Sequence, residues 1–335
     1  EHWMKRFIVI LGILLISVGT HVFADTSVLL DFSTLIADTE EGENEATIVD
    51  FSSHAGTGFT DDERQAMKTS LAIENWEVIL ASSSNSVVNA AKSMTRAVTV
   101  NDDAARFGGE QILGVRVHFP DEPFNSFATV KPPFAIPAYM RKTVLQGDGT
   151  LVDDTADLRG SKFDGYGVVK NVGVIKSLTV NVYGNNFPNG FSVVLQDQNG
   201  DLQQIFMSYL DFDGWRELVW NNPNYVEEVR DREIKRYTLY PNAEPMRKID
   251  SLVFYKNASQ KGGDFIAYVK DITITYDKAV LDTSRDINEE EIWGILSERE
   301  EARRTAEFSK LGNLQVLRYL ESKKMHSLEE DEDQQ

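Results

Sequence analysis

The side chains most often recruited for chemistry are scarce in this chain and poorly spaced for it. Cysteine is absent, and histidine occurs only at positions 2, 21, 54, 118 and 326. A Ser-His-Asp relay needs a nucleophile, a base and an orienting acid in one place, and an α/β-hydrolase announces its serine with a Gly-x-Ser-x-Gly elbow. No such spacing accompanies His54 or His118, so the chain offers no recognisable hydrolytic triad. Zinc centres built from cysteine and histidine are excluded or nearly so. Aspartate and glutamate total 53, and a glycosidase needs only two carboxylates. In so acidic a chain a pair identifies nothing, because most charged residues stay solvated. Gly56-Thr57-Gly58 does not complete a phosphate-binding fingerprint. Asp153, Asp154, Asp211 and Asp213 do not follow EF-hand spacing, so a structural calcium is left as an unassigned option and no cofactor is expected. The chain is therefore expected not to be an enzyme.

Aromatic side chains are more informative. Trp215, Trp220 and Tyr225 lie on or beside one expected strand, with Phe212 just before it. Side chains alternate along a strand, so the odd separation of Trp215 and Trp220 sends them to opposite faces. One belongs in the core and the other on a surface that meets a sugar ring or a protein; two core tryptophans flanking a bulge are the alternative. Lys131, Pro132, Pro133 and Phe134 begin a proline-rich stretch that ends at Pro137. Its restricted backbone would lose little entropy on assembly, and it is equally a rigid loop packed on its own domain.

The elements that must position these residues begin after an export leader. Lys5 and Arg6 precede an apolar run from Phe7 to Val18, and Val22, Phe23 and Ala24 suit a signal peptidase, which places cleavage between Ala24 and Asp25. The run is shorter than the roughly 20 residues that span a bilayer. With no cysteine for a lipid anchor or a disulfide, a free exported protein without a membrane anchor is expected. The net charge of −19 opposes binding to nucleic acid and to anionic lipid.

Period-2 alternation then dominates. Val28 to Phe32, Thr47 to Phe51, Trp76 to Leu80 and Ile112 to Phe119 read as strands, and Thr60 to Glu63 is a capping box for a helix reaching about Ser70. Leu178 to Val182, Phe191 to Leu195 and Leu202 to Tyr209, separated by turn residues, suggest two consecutive hairpins, the second around Asn199-Gly200. Ile249 to Tyr255 and Phe265 to Tyr276 complete a series too tightly spaced for βαβ crossovers. The fold expected is mainly β, an antiparallel sandwich or jelly roll. Asp286 can cap a C-terminal helix in which Phe308, Leu311, Leu314, Leu317 and Leu320 recur at three-residue steps and are candidates for docking on the sandwich or on a neighbouring subunit. The organisation expected is a leader over 1–24, a sandwich over 25–285, a helical segment over 286–325 and an acidic disordered tail over 326–335.

Several stretches resemble a known family. Ile112 to Pro120, Asn125 to Tyr139, Phe163 to Val169, Lys176 to Phe187 and Asp211 to Trp220 are similar to the class A sheath, or outer-layer, proteins of spirochaete periplasmic flagella. The similarity reaches to about Asp277 and carries no catalytic signature. It implies a structural subunit on periplasmic flagellar filaments that coats core flagellins, self-associates and meets other sheath subunits, affecting filament shape and stiffness in motility. The sandwich also resembles galactose-binding or lectin-like domains, which implies, as the alternative, a periplasmic carbohydrate-binding module that uses Trp215, Trp220 or Tyr225. Fold alone assigns no such binding.

Overall fold

The computed structural model describes residues 24–36, 47–52, 58–134, 143–145, 151–153, 166–225, 236–237, 245–281 and 292–332. Residues 1–23 of the expected leader, the Asp286 cap, His54 and Ala135 to Pro137 lie outside these residues. Where apolar and polar residues alternate, strands form: β1 (Asp25–Asp31), β2 (Glu77–Leu80), β3 (Met94–Thr99), β4 (Gln111–Phe119), β5 (Ser126–Lys131) and β6 (Val168–Lys170). They are followed by β7 (Val172–Asn185), β8 (Gly190–Asp197), β9 (Leu202–Tyr209), β10 (Asp213–Asn221), β11 (Met246–Lys256) and β12 (Gly263–Lys278).

These strands make two six-stranded antiparallel sheets packed as a sandwich. The first runs β10-β7-β12-β4-β3, with β1 also on β12; the second runs β9-β8-β11-β5-β2, with β6 also on β11. The 16-residue β12 is long enough to pair with β4 through Gly263–Val269 and with β1 through Asp271–Tyr276 along the same edge. Between the sheets, Leu178, Val180, Val182, Ile272 and Ile274 of the first meet Phe191, Val193, Leu252 and Phe254 of the second, all fully buried. Phe254 bridges the layers, stacked on Phe191 at 5.1 Å and tilted against Phe265 at 5.2 Å. Each such side chain withdrawn from water contributes about 1.5–3 kcal/mol, which lets a cysteine-free chain hold together by burial.

Two expectations about local structure need correction. The hairpin around Asn199-Gly200 forms, with β8 paired to β9. The hairpin expected before it does not, because β7 belongs to the first sheet and β8 to the second. Alternation specifies which side chains face the core, but both sheets face the same core, so it cannot say which sheet a strand joins. The geometry at the crossing is specific: Asn186 has φ of +58°, and a Cβ on Gly184 would lie 2.6 Å from the Phe212 carbonyl oxygen. The capped helix is also shorter than expected. Helix α1 (Asp61–Gln65) carries the full capping box, but Lys68–Ser70 is a strand paired with Ile48–Asp50.

Helix α2 (Val87–Lys92) bridges β2 and β3. The long helix α3 (Ile295–Glu332) follows Gly294, whose φ of +60° breaks it from the turn at Ile292 and Trp293. It continues through His326 into the stretch expected to be a disordered acidic tail. Phe308, Leu311 and Val316 join the main core. Phe308 lies 5.9 Å from Phe51, which in turn meets Phe134 at 5.6 Å, and Arg318 reaches Glu77 at 3.5 Å. Leu314, Leu317 and Leu320 stay exposed on the opposite side of the helix. A three-residue step rotates about 60° short of a full turn, so a stripe at that spacing winds from the docked face to the outer one.

Candidate surfaces for assembly and ligand binding

The two outer faces of the sandwich carry similar residue types in different arrangements. On the first sheet, the register aligns Tyr268, Tyr183 and Trp215 across β12, β7 and β10. Tyr183 contacts Tyr268 at 5.9 Å and Trp215 at 5.5 Å, both edge-on. Phe107, held at φ of +59°, closes over Trp215 at 4.7 Å. This row has spent its ring faces on itself.

Beside it, Lys270 is the extra residue of a bulge in β12, between the pairs Asn181–Asp271 and Val182–Val269. Its ammonium, 5% exposed, meets Asp31 at 2.6 Å, Glu110 at 2.9 Å and the Ser33 hydroxyl at 3.2 Å. Burial pulls this lysine down, but its bonds to Asp31 and Glu110 outweigh that and hold it above the usual lysine range. Burial likewise pulls Asp31 up, and the bonds from Lys270 and Ser33 override it, leaving the carboxyl below the usual range.

The outer face of the second sheet is a trough of about 770 Å³. Its floor is built on the two central strands, of Ser192 and Val194 of β8 and Ser251 and Val253 of β11, with Tyr255 of β11 at one end, paired to the bare Gly190 of β8. Its walls are long side chains on the flanking strands, Phe206 and Tyr209 of β9 and Phe127 and Lys131 of β5. Phe127, Phe206 and Tyr209 are 46%, 49% and 46% exposed, in a domain that buries most of its large apolar residues.

Two bulges shape this trough. In β9 the register passes from Phe206–Ser192 to Ser208–Phe191, leaving Met207 as the extra residue. Without it Tyr209 would point into the core; with it Phe206 and Tyr209 share a face, their rings 5.2 Å apart. In β11 Asp250 is the extra residue, which sets it beside Ser251 on the trough side, where the Ser251 hydroxyl donates to it at 2.8 Å. Lys131 balances Asp250 at 3.6 Å, so the trough carries no unmatched charge in its lining. A Cβ on Gly190 would meet the Phe206 ring at 3.2 Å, so the bare floor there is what gives that ring room.

The sequence-derived candidates scatter relative to these faces. Trp215 and Trp220 do point oppositely: Trp215 lies in the outer aromatic row, and Trp220 leans on the core from the inner side. The Tyr225 hydroxyl donates to Asp277 at 3.1 Å. Pro132, Pro133 and Phe134 are buried against the chain's own core. Only Lys131 of the set lines the trough. Phe127, Phe206, Tyr209 and Tyr255 were not singled out by sequence, and the signal that finds Phe206 is its position between the inward-facing Ile205 and Met207.

Among histidines, His118 Nδ1 lies 2.7 Å from Asp264, which also accepts from Arg116 at 2.9 Å. The Arg116 bond, then that to His118, holds the Asp264 carboxyl below the usual range. The nearby Ser93 hydroxyl is engaged elsewhere, accepting from the His118 backbone N–H and donating to the Asn89 carbonyl. Among the described residues no group of three metal-ligating side chains comes together, and no helix is long and apolar enough to cross a membrane.

Among solved structures, a carbohydrate-binding module in complex with β-1,4-galactotriose aligns with 60% of this chain and 88% of its own, at 8% identity and a TM-score of 0.27. Relatives by sequence are much nearer. A flagellar filament outer layer protein of Spirochaeta aurantia is 49% identical over 324 residues, 96% of this chain and 94% of that one. One from Treponema pallidum (strain Nichols) is 42% identical over 332 residues, 96% of this chain and 95% of that one. The family described as flagellar filament outer layer protein Flaa matches residues 40–285, and with this match and these relatives the chain belongs to that family.

Proposed function

We propose that this protein is a sheath subunit that coats the flagellin core of a periplasmic flagellum and affects the filament's shape and stiffness in motility. The observation that carries the reading is the family match over 40–285 together with whole-length similarity to proteins named for the filament's outer layer. Its partners on this reading are core flagellins, other sheath subunits and further copies of itself. The leader cut between Ala24 and Asp25 supplies the export to the periplasm that the role requires.

The outward face of α3 supports the self-association. Leu314, Leu317 and Leu320 are 38%, 57% and 43% exposed, and Lys310, Lys323 and Lys324 stand exposed around them in a chain of net charge −19. An exposed apolar stripe of this kind is withdrawn from water when a second copy packs on it. Purified periplasmic filaments are expected to contain the protein at a stoichiometry near that of a core flagellin, and its absence there would sink the reading. Deleting the gene should change filament curvature or stiffness, measured on isolated filaments, without blocking export of other flagellar components.

A further inference from the structure

We infer that the trough on the second sheet binds a neutral glycan chain, which goes beyond the coat role proposed above. The reasoning starts from shape. A volume of about 770 Å³ falls in the range of small-ligand clefts, about 300–1,000 Å³, whereas protein partners of standard size meet over broad, flat patches. From Gly190 to Val194 the floor extends about 13 Å at 3.3 Å per residue, enough for an extended ligand lying along the strands.

The chemistry of the lining narrows the class. Aromatic ring faces are electron-rich and attract the polarised C–H groups of a sugar's apolar face. Phe206 and Tyr209 stand on one wall and Phe127 on the other, each nearly half exposed. Between them lie Thr129, Ser192, Gln204 and the Asp250–Ser251 pair, whose hydroxyl, amide and carboxylate groups match a ligand rich in hydroxyls. A purely apolar peptide would leave these groups unpaired, at a cost of about 1–3 kcal/mol each where buried.

Charge excludes the other obvious occupants. The chain is strongly acidic and repels anionic polymers, while in the trough Lys131 and Asp250 cancel each other. A basic ligand finds no free anion there and an acidic one no free cation. What fits is uncharged, hydroxyl-rich and long. The two bulges strengthen the case, since each interrupts a regular ladder and each adds a side chain, Tyr209 or Asp250, to this one face.

The test uses the secreted chain, residues 25–335, on an array of neutral and acidic oligosaccharides, followed by calorimetric titration with the strongest neutral binder. Binding to at least one neutral oligosaccharide is expected. Phe206→Ala and Tyr209→Ala should each weaken it about tenfold or more, with the chain still folded and its stability in urea lowered by no more than about 1 kcal/mol. Val219→Ser, on the opposite outer face, should leave it intact. An array on which no neutral glycan is bound overturns the inference, as does binding indifferent to both ring removals. Self-association that Phe206→Ala abolishes overturns it in favour of a second copy as occupant. The filament stoichiometry measurement decides the coat reading independently, so either conclusion can fail while the other stands.

Discussion

The two outer faces of the sandwich both display aromatic rings beside a lysine and a carboxylate, yet one is closed and the other open. On the first sheet Tyr183, Tyr268 and Trp215 pack edge to face under Phe107, and Lys270 is sunk between Asp31 and Glu110. On the second, Phe206, Tyr209 and Phe127 flank a floor of glycine, serine and valine that ends at Tyr255, and Lys131 meets Asp250. The residue types are the same, and what differs is the spacing: Tyr183 stands directly between Tyr268 and Trp215, whereas Gly190 separates Tyr209 from Tyr255, and Ser192 and Val253 lie beside Phe206. Large neighbours consume ring faces; small ones leave them for a ligand. Aromatic content is therefore a poor guide to function until the strand register is known.

If the first face is structural, the largest loss of stability should follow removal of its buried cation. Lys270→Met leaves Asp31 and Glu110 facing each other without compensation, and the expected cost is on the order of 3 kcal/mol, the low end for a broken buried pair because both carboxylates are partly solvated. Urea unfolding measures this directly. A midpoint within experimental error of the parent chain would show that the cluster is ornamental.

Ring removal should then separate the faces. Trp215→Ala strips a side chain packed on two rings and should cost about 2 kcal/mol, less than a fully buried tryptophan. Phe206→Ala should stay within about 1 kcal/mol, as at an exposed position. Equal losses at the two sites would erase the distinction between a closed face and an open one.

Acid should also weaken the first face. Asp31 sits below its ordinary range when folded, so its contribution is whole above the unfolded carboxylate range and disappears as the pH falls through the lower folded value. Lys270, held above its ordinary range, contributes fully below the unfolded lysine value and loses that contribution as the pH rises through the higher folded one. Stability from this pair should be flat between about pH 5 and 9 and decline outside it. In Lys270→Met the acid-side decline should flatten, which unfolding curves at stepped pH will reveal.

Much of the sandwich is legible in the sequence because burial imposes period 2: the alternation at Leu178 to Val182 and Ile272 to Tyr276 is what the core demands. Sheet membership is not legible, because the apolar positions Leu178, Val180 and Val182 of β7 and Phe191, Val193 and Leu195 of β8 repeat at the same two-residue step while the strands lie in opposite layers. The trough is hidden for a related reason. Phe206 and Tyr209 are three apart, so regular alternation assigns them to opposite faces, and only the bulge at Met207 reunites them. No residue type announces that bulge. The opposite orientations of Trp215 and Trp220 are legible because β10 pairs with β7 without interruption. The outward turn of Leu314, Leu317 and Leu320 follows from their three-residue spacing once the docked positions Phe308 and Leu311 fix the helix's rotation.

The smallest expected effect tests the size argument itself. Gly190 lacks a positive φ, so an alanine there meets no backbone strain, and its Cβ would lie 3.2 Å from the edge of the Phe206 ring and 3.6 Å from Tyr255 Cβ. The Phe206 ring is nearly half exposed and can yield by a few tenths of an ångström, so Gly190→Ala should change stability by no more than about 1 kcal/mol. The same methyl group raises the floor and tilts the ring, so neutral-oligosaccharide binding should fall a few-fold, less than on removing the ring. Alanine at Gly184 makes the contrast. Its Cβ would lie 2.6 Å from the backbone oxygen of Phe212, which cannot move aside as a ring can, and the expected cost is about 1–3 kcal/mol. If the two substitutions destabilise equally, the trough floor at Gly190 is as tightly packed as the crossing at Gly184, and the second face is closed like the first.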